Sequence, residues 1–582
     1  MKIYSQLLLT FLFLVFTGTT VWPDSLGPDV RIIAARDRDF IERSGAQTLE
    51  ELLDTGIVRY FYAGGQTLLI LVDGRPYATS TSDLDTLPLS AIERIELLSG
   101  EGLGQYGGIA INGAINVVMR KDFDGVETRT LTRIPGEDGG EGWQGSVFWG
   151  GPVNDNGGRM SIGVDILKRE AIPSRSREFS RSEWTEGGSF SEAKNISIGG
   201  NTLFVFDVET ATYRTLSLGD CNPKEGYAGP LERPSAFAPP GDKGCGFAYG
   251  NIAWNTPEFE QRTAIVNLEL PLEGGQDFHL FANLGQGKSS FRYAPSVGFF
   301  RINIPDSLLV DINDPDNGFS VDTSDYVAIA HRFLGHGNRD WHTNYNEYDI
   351  SLGIDGQLTN NIDYKTSIST YNLDGSLIGN TFVHLENIQN EISLGNYDFT
   401  DPDSPGNQAA IERTSLQEEI DFGQEYFGAG FSLEGQTFSI ADRSVAWTAG
   451  IDVGKTEIHS LMRFVDNQEE EYDVTEVLGS GGVSYQGKRQ TIGIFGDMVL
   501  PITKNTDFRV AARGDDYDDL GKLGTYHLST EHRPNNVLTL RSSWGIGDRA
   551  PSMRSLHSTE SQDHPYVRCV PDFESQPDPP RE

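Results

Sequence analysis

The chain has 582 residues, with 66 Gly, 31 Phe and 21 Tyr but only 3 Cys, and its 46 Lys and Arg against 84 Asp and Glu give a net charge of −38. That length exceeds one ordinary domain, and glycine with aromatics favours a barrel or sandwich over a helical protein. The acidic balance argues against nucleic acid, whose phosphates need a Lys/Arg surface, and fits solvated carboxylates on a polar exterior.

Met1-Lys2, the apolar run Leu7–Phe16 and the small residues Gly18, Thr19 and Thr20 have the layout of a secretory signal peptide, placed at 1–22. The run is too short for a membrane helix, and no later run is apolar enough to span as one. Export puts Cys221 and Cys245 in an oxidising compartment, where they can close a loop as a disulfide. Cys569 is left over.

Residues 23–125 read as a compact domain of mixed β and α structure. Asp29–Arg36 has a short β pattern, and Asp37–Arg43 forms one helical turn or two. Thr48 and Glu51 have capping-box spacing at the head of a helix that Gly56 ends. Leu68–Val72 is an apolar strand stopped by the Asp73-Gly74 turn. Ser90 and Glu93 repeat the capping-box spacing and predict a short helix. A strand with Ile95, Leu97 and Leu98 follows, then a turn with Gly100, Gly102, Gly104, Gly107 and Gly108, then a second strand over Ala114–Met119.

From Val126 the period changes to two. Tyr348, Ile350, Leu352 and Ile354 alternate with Asp349, Ser351, Gly353 and Asp355, and Phe278, Leu280, Ala282 and Leu284 alternate with His279, Phe281, Asn283 and Gly285. Ile492, Ile494 and Met498 alternate with Gly493, Phe495 and Asp497 in the same way. An apolar face and a polar face on every strand fit a sandwich or a transmembrane barrel. With the signal peptide and no helices to cover a second core, the pattern favours an outer-membrane barrel, in which closure pairs every backbone group.

Candidate strands fall near 126–134, 143–150, 159–168, 262–271, 277–287, 344–356, 361–373, 420–433, 445–458, 487–500, 506–516, 523–532 and 537–546. Tight turns such as Asp155–Gly158 and Glu273–Gln276 alternate with long loops at 170–260, 288–340 and 374–415. Barrels show short turns on the periplasmic side and long loops outside. The barrel is assigned to 126–560 and a polar, Pro-rich tail to 561–582. Trp149, Trp447 and Trp544 lie near strand ends, where aromatic rings anchor a barrel at the bilayer interface.

Gly102–Gly107 matches G-x-G-x-x-G, but a β-branched strand follows where a dinucleotide fold needs a helix. No Cys or His spacing suits a metal, and no nucleophile motif is present, so no catalytic residue, metal or cofactor is expected. His279 reads as a lumen-facing polar residue. The long-loop aromatics Phe237, Phe247, Tyr249 and Trp254 are candidates to stack on a ligand, with ordinary packing the competing role for each.

Ile92–Leu98 (I-E-R-I-E-L-L), the Tyr106-Gly-Gly turn and Gly113–Val118 together resemble the plug-domain signature of TonB-dependent outer-membrane receptors. Ser44–Leu53 and Leu71–Arg75 look like earlier parts of that plug, and Asp548–Ser552 like a short element of the family's barrel. The resemblance implies a mixed α/β N-terminal plug domain followed by an antiparallel transmembrane β-barrel, 22-stranded in the family, of which this chain holds about thirteen strands. It implies a cell outer-membrane receptor that binds a scarce nutrient (siderophore-like, cobalamin, sugar or peptide). Import would draw on energy from a TonB-type periplasmic partner, with outer-membrane lipid around the barrel. Gly102, Gly104, Tyr106 and Arg75 are then expected at the ligand-facing plug turn, and Glu93, Arg94, Glu96, Gly107, Gly113 and Asn116 form the plug signature.

Departures from the family pattern shape a second expectation. Val21–Pro28 carries no recognisable partner box, Ser99-Gly100-Glu101 stands where many members place a plug-locking Arg, and the region of Arg59–Gly65 looks shortened. With the strand count, these features make a truncated, non-transporting remnant, at most a binding or signalling module, the alternative reading.

Overall fold

The computed structural model describes residues 32–54, 68–77, 86–99, 103–110, 112–207, 212–217, 221–232, 241–302, 313, 327–479 and 481–559. The signal-peptide call, Val21–Pro28, Arg59–Gly65, Gly102, Phe237, Cys569 and the tail at 561–582 lie outside them.

The N-terminal domain is a five-stranded sheet with two short helices. Its strands are β1 (Ile32–Arg36), β2 (Leu69–Val72), β3 (Arg75–Pro76), β4 (Ile92–Leu98) and β5 (Ala114–Met119), in the order β1-β4-β5-β2-β3. Helix α1 (Arg38–Arg43) starts where the Asp37 carboxylate accepts from the Phe40 N–H. Helix α2 (Leu49–Asp54) starts where the Thr48 hydroxyl accepts from the Glu51 N–H at 3.2 Å. Ile41, Leu49, Leu52, Ile95, Leu97, Ile115 and Val117 close one apolar core between helices and sheet. The capping-box expectation at Ser90 is corrected: Leu89–Ala91 is a single 3-10 turn with no side-chain cap, and Glu93 already lies in β4. Three residues after Pro88 are too few for an α-helix, because β5 pairs with β4 from Ile92 onward.

The alternating segments form one antiparallel sheet, the wall. Its strands are β6 (Gly125–Arg133), β7 (Gly142–Pro152), β8 (Arg159–Arg169), β9 (Glu258–Pro271), β10 (Gln276–Tyr293), β11 (Arg339–Thr359) and β12 (Ile362–His384). They continue as β13 (Ser415–Ile440), β14 (Arg443–Val465), β15 (Tyr485–Thr503), β16 (Thr506–Tyr517), β17 (Gly521–His532) and β18 (Leu540–Gly547). These thirteen pair strictly in chain order, each with the next, and Glu471–Tyr472 and Val477–Leu478 pair at its side to make fifteen in all. Every strand window read from the period of two corresponds to one of the thirteen.

The register lines the two faces up. Ile162, Val266, Ala282 and Ile350 pair in one row, as do Ile368, Ala429, Val453 and Ile492 in another, so an apolar band runs over the outer face. The buried inner face carries Ser161, Asn267, Asn283, Asp349, Gln424, Thr448 and Asp497, and the N-terminal domain sits against it. Trp149, Trp447 and Trp544 lie on the apolar side, in register with Ile162, Met498 and Leu528.

The long loops are more than loops. Strands Thr202–Asp207, Thr212–Ser217, Val297–Arg301 and Val327–Arg332 form a separate four-stranded sheet at the long-connection end of the wall. Helices α3 (Leu385–Ser393) and α4 (Gln408–Thr414) pack on it through Leu203, Val205, Ile329, Phe333, Ile388, Ile392 and Ala410. The Arg413 guanidinium joins the helices through two hydrogen bonds to Glu391, at 2.9 and 2.7 Å. The reading of 170–260, 288–340 and 374–415 as long loops is corrected accordingly. Wall strands β10 and β12 run to Tyr293 and His384, and described residues of these connections fold into a cap with its own core.

Cys221 and Cys245 are disulfide-bonded beside the buried rings of Tyr227 and Phe247, 24 residues apart in sequence. Closing a loop of that length removes about 3.5 kcal/mol of unfolded-chain entropy in the loop-closure picture. A Cys221→Ser/Cys245→Ser chain is therefore expected to expose the 221–247 region to protease at lower temperature than wild type. Wild type in reducing agent should match the double variant, and unchanged protection in both would remove the disulfide's structural role.

Candidate functional site

The functional geometry lies where the N-terminal domain meets the inner wall. Its centre is the Asp73-Gly74 turn, which reverses the chain between β2 and β3 with φ of +48° and +77°, a pair of left-handed positions suited to an Asp-Gly hairpin. Three groups hold that turn. The Asn116 side chain in β5 accepts from the Gly74 N–H and donates to Glu96, both at 2.9 Å. The Asp73 carboxylate accepts from the Met119 N–H at 2.9 Å. The Tyr106 hydroxyl donates to the Gly74 carbonyl. Arg94 donates to the other Glu96 oxygen at 2.6 Å, so this buried carboxylate has a cation and an amide as partners. Burial pushes the Tyr106 phenol well above its ordinary range, so it stays a donor.

The sequence-predicted residues Arg75, Arg94, Glu96, Tyr106 and Asn116 are thus brought together around one turn. Glu93 lies apart from it, 3.9 Å from Arg120. Gly113 takes φ of +104° and ends the glycine-rich stretch, donating to the Ala110 carbonyl.

Arg75 projects from that turn to the wall. Its guanidinium donates to Asp349 of β11 at 2.6 Å and stands 5.4 Å over the Phe281 ring of β10. The Asp349 side chain is 1% exposed. One residue pair along, the Tyr77 and Thr86 hydroxyls both donate to Glu347, at 2.8 and 3.0 Å, and Asn283 donates to the Thr86 carbonyl. Burial and the Glu347 charge raise the Tyr77 phenol far above its ordinary value.

A second ionic tie lies at the short-turn end, where the Lys121 ammonium bridges Asp73 at 3.2 Å and Glu269 of β9 at 3.1 Å. Burial works against its charge, but the two carboxylates outweigh it and raise its pKa. His279 continues the line on the inner face, 3.8 Å from Glu269 and 3.3 Å from Asp355. A third tie joins Glu51 at the head of α2 to Arg133 of β6 and Arg169 of β8, at 2.7 and 2.8 Å. Burial raises the Glu51 pKa, but the arginines and the Gln47 N–H prevail and hold it below the usual range. A fourth joins Arg38 and Arg120 to Glu127 of β6, at 3.2 and 3.0 Å, with Arg120 stacked over Phe123 and Phe148.

The glycine-rich turn meets the far side of the wall. Residues Gly104–Ala110 form two 3-10 turns across a kink at Gly107, where φ is +67°, so no helix follows the G-x-G-x-x-G pattern. A Cβ on Gly104 would lie 2.6 Å from the Ala511 Cβ, and one on Gly107 2.9 Å from the Arg513 side chain. Arg513 donates to the Gln105 carbonyl at 2.8 Å and is itself held by Asp452 and Asp515. The domain is therefore tied to the wall here through the Gln105 carbonyl and the close approach of Gly104 and Gly107. Of Ser99-Gly100-Glu101, only Ser99 lies among the described residues.

A Cβ on Gly108 would lie 2.0 Å from the Asp548 carbonyl oxygen. Gly108→Ala is allowed by backbone conformation but not by space, and is expected to destabilise the seated domain by about 1–3 kcal/mol. Faster proteolysis of the full-length variant within 103–113 checks this; wild-type protection would show that the wall can recede.

Sequence reasoning missed the wall partners Asp349, Glu347, Glu127 and Arg513. The available signal was a charged residue on the polar face of an alternating strand, which marks the side but not the partner. Among the long-loop aromatics, Phe247 is buried under Arg332 at 4.5 Å, Trp254 stacks with Arg292 at 5.2 Å, and Tyr249 is partly exposed.

A plug seated through buried charges in a wall that is polar inside and apolar outside defines a plugged β-sheet receptor. Residues 246–579 match the family model described as TonB dependent receptor-like, beta-barrel, and residues 32–114 match the TonB-dependent Receptor Plug Domain; the chain belongs to the TonB-dependent receptors. A vitamin B12 transporter (BtuB) of Vibrio cholerae is 34% identical over 110 residues, covering 16% of this chain and 18% of the relative. Among solved structures, a mutant ferric enterobactin receptor (PfeA) of Pseudomonas aeruginosa in complex with enterobactin aligns with a TM-score of 0.53 at 13% identity, over 90% of this chain and 63% of that one. A second mutant of that receptor aligns with a TM-score of 0.51 at 13% identity, over 91% and 63%. The likeness at that identity is one of fold, and this chain spans less than two thirds of the length of either relative.

Proposed function

We propose that the chain acts in the outer membrane as a receptor that takes up a small-molecule nutrient, driven by a TonB-type periplasmic partner. The observation that carries this reading is the seam itself. The plug's apolar core reaches Phe148 and Ile265 of the wall, and around that contact its hold on the wall is made of ion pairs and hydrogen bonds that water can replace when the plug moves. The apolar outer band supports placement in lipid, and the folded cap at the long-connection end supports capture of a ligand outside. The proposed ligand-facing residues are Gly102, Gly104, Tyr106 and Arg75 of the plug.

Uptake of labelled vitamin B12 and ferric enterobactin, after which the similar proteins are named, is the direct test, in cells with and without the energy-coupling partner. Uptake of one of them, or of a sugar or peptide in the same assay, that depends on both the chain and the partner is the expected result. A heat-modifiable band in isolated outer membranes supports the location; a soluble periplasmic product would overturn it.

A further inference from the structure

We propose that the inner face of the wall, at its long-connection end, takes an uncharged ligand with an apolar surface and rejects anionic chelates; this rests on the reading of the chain as a receptor. The observation behind it is an inversion of polarity along β11 to β14. At the height of Ser351 the inner row is small and polar, with Ser351, Ser369, Gly428 and Gly454 in line. The outer row there is apolar, with Leu352, Ile368, Ala429 and Val453. Toward the long-connection end the faces exchange character. Inside, Leu373, Gln424 and Ile458 stand beside Glu347, followed by Tyr345, Phe422 and Ser460, then Thr343, Leu377, Ile420 and Met462. Outside, at the same heights, stand Asn346, Asp374 and His459, then Asn344, Ser376 and Asp421.

No slip in pairing produces the exchange. β12 keeps one unbroken register with β11 from Asp363 to Gly379, and with β13 from Ile362 to Gly379. The alternation of side chains therefore continues, and the sequence changes phase on it, from Ile368 facing out to Leu373 and Leu377 facing in. Apolar side chains on the inner side of strands whose outer side is polar mark a surface built to be covered. Leu373, Leu377, Ile420, Phe422, Ile458 and Met462 are all half-buried.

The chemistry of the occupant follows from the charges on this face and from the lie of its rings. Between the row of Glu347 and the row of Glu418, the inner side chains of β11 to β14 include no Lys, Arg, Asp or Glu. An anion settled there would lose water without gaining a cation, and a cation would gain no carboxylate; either transfer is costly. The chain's net charge of −38 adds repulsion for an anion. A Cβ on Gly287 would run into the Tyr345 ring, and one on Gly375 into the Phe422 ring. Each ring therefore lies along the wall over a glycine of the neighbouring strand. The half-buried Phe422 thus offers a ring face to an apolar or conjugated ligand.

The test measures equilibrium binding to the full chain purified in detergent. The probes are cyanocobalamin and an iron(III) tris-hydroxamate chelate, both uncharged, and ferric enterobactin, an anionic chelate. At least one uncharged probe is expected to bind, roughly tenfold more tightly than ferric enterobactin. Phe422→Ala should weaken that binding about fivefold, and Gly375→Ala, whose methyl displaces the ring, should weaken it as much. Leu377→Arg/Ile420→Arg places two cations on this face and should move the preference toward ferric enterobactin. Unchanged heat-modifiable migration verifies that each variant is folded. Ferric enterobactin bound as tightly as the better uncharged probe, no binding of either uncharged probe, or a preference unmoved by the paired arginines overturns the proposal. Partner-dependent uptake decides the receptor reading separately: uptake of ferric enterobactin would uphold that reading and sink this one.

Discussion

Replacing Arg75 with alanine is expected to cost the seated plug roughly 3–5 kcal/mol, the range for removing one partner of a buried ion pair. Asp349 is what makes the effect large: its side chain is 1% exposed and Arg75 is the cation that meets it. Without the guanidinium the carboxylate stays in the seam uncompensated, or draws water in and separates plug from wall. The double variant Arg75→Met/Asp349→Leu removes both charges and keeps apolar volume, so it should lie close to wild type. Phe281 beneath the guanidinium gives the Met side chain a surface to cover. Hydrogen exchange at Leu69–Pro76 in the full chain reads the difference. Wild-type protection in the alanine variant, or equal loss in the double, would show that this pair does not hold the plug.

The four ionic ties bear on mechanism as well as stability. An apolar seam would lose its whole buried area as hydrophobic free energy when the plug moved. Charges lose a partner but regain water, and exposed ion pairs contribute only about 0–1 kcal/mol. The seam is thus firm while dry and weak once wet. Of the core cluster only Phe148 and Ile265 belong to the wall, so such a movement strips those contacts and leaves Ile41, Leu49, Ile95 and Val117 packed on one another within the plug.

The thirteen wall strands were legible because a half-buried strand repeats every two residues, and residues such as Leu352 and Ser351 show that repeat without ambiguity. Strands β1, β2, β4 and β5 were legible from apolar runs and from the Asp73-Gly74 turn. The cap was not. Its strands are short, buried on both sides as in Val327–Arg332, and drawn from three separated segments, so no window carries a period. Ser90 misled because capping-box spacing is local, whereas Ile92 is claimed by its pairing with Met119. The wall ties were illegible for the same reason: Arg75 and Asp349 are 274 residues apart, and nothing in either neighbourhood names the other. The family pattern pointed to Ser99, whereas the ties among the described residues run through Arg75, Glu51, Lys121 and Gln105.

The cap is expected to loosen as pH falls below about 6.5, because two buried histidines must be neutral for it to pack. His331 is fully buried between Asn201 and Tyr397, with both ring nitrogens hydrogen-bonded at 3.0 Å. The Asn201 amide N–H donates to the Phe399 carbonyl, which leaves its oxygen to accept from His331 Nδ1–H and His331 Nε2 to accept from the Tyr397 hydroxyl. His336 donates through Nε2 to Thr414, whose own hydroxyl donates to Ala410, while its buried Nδ1 has no partner among the described residues. A second proton on either ring would break an acceptor or bury an N–H without one. Burial lowers both pKa values from 6.5 to about 3, with the neighbouring Arg332 and His336 adding to the effect at His331. Protons therefore bind the unfolded cap first: stability is complete above the unfolded value and is lost as pH falls toward the folded one. At pH 5 each histidine contributes about 2 kcal/mol of that loss. Hydrogen exchange at Val327–Arg332 and Leu385–Ser393, at pH 7 and pH 5, should show protection falling at the lower pH. The His331→Gln/His336→Gln chain, which keeps hydrogen-bonding groups but cannot titrate, should show a flatter profile. A wild-type cap equally protected at both values, or a double variant as steep as wild type, would place the pH response elsewhere.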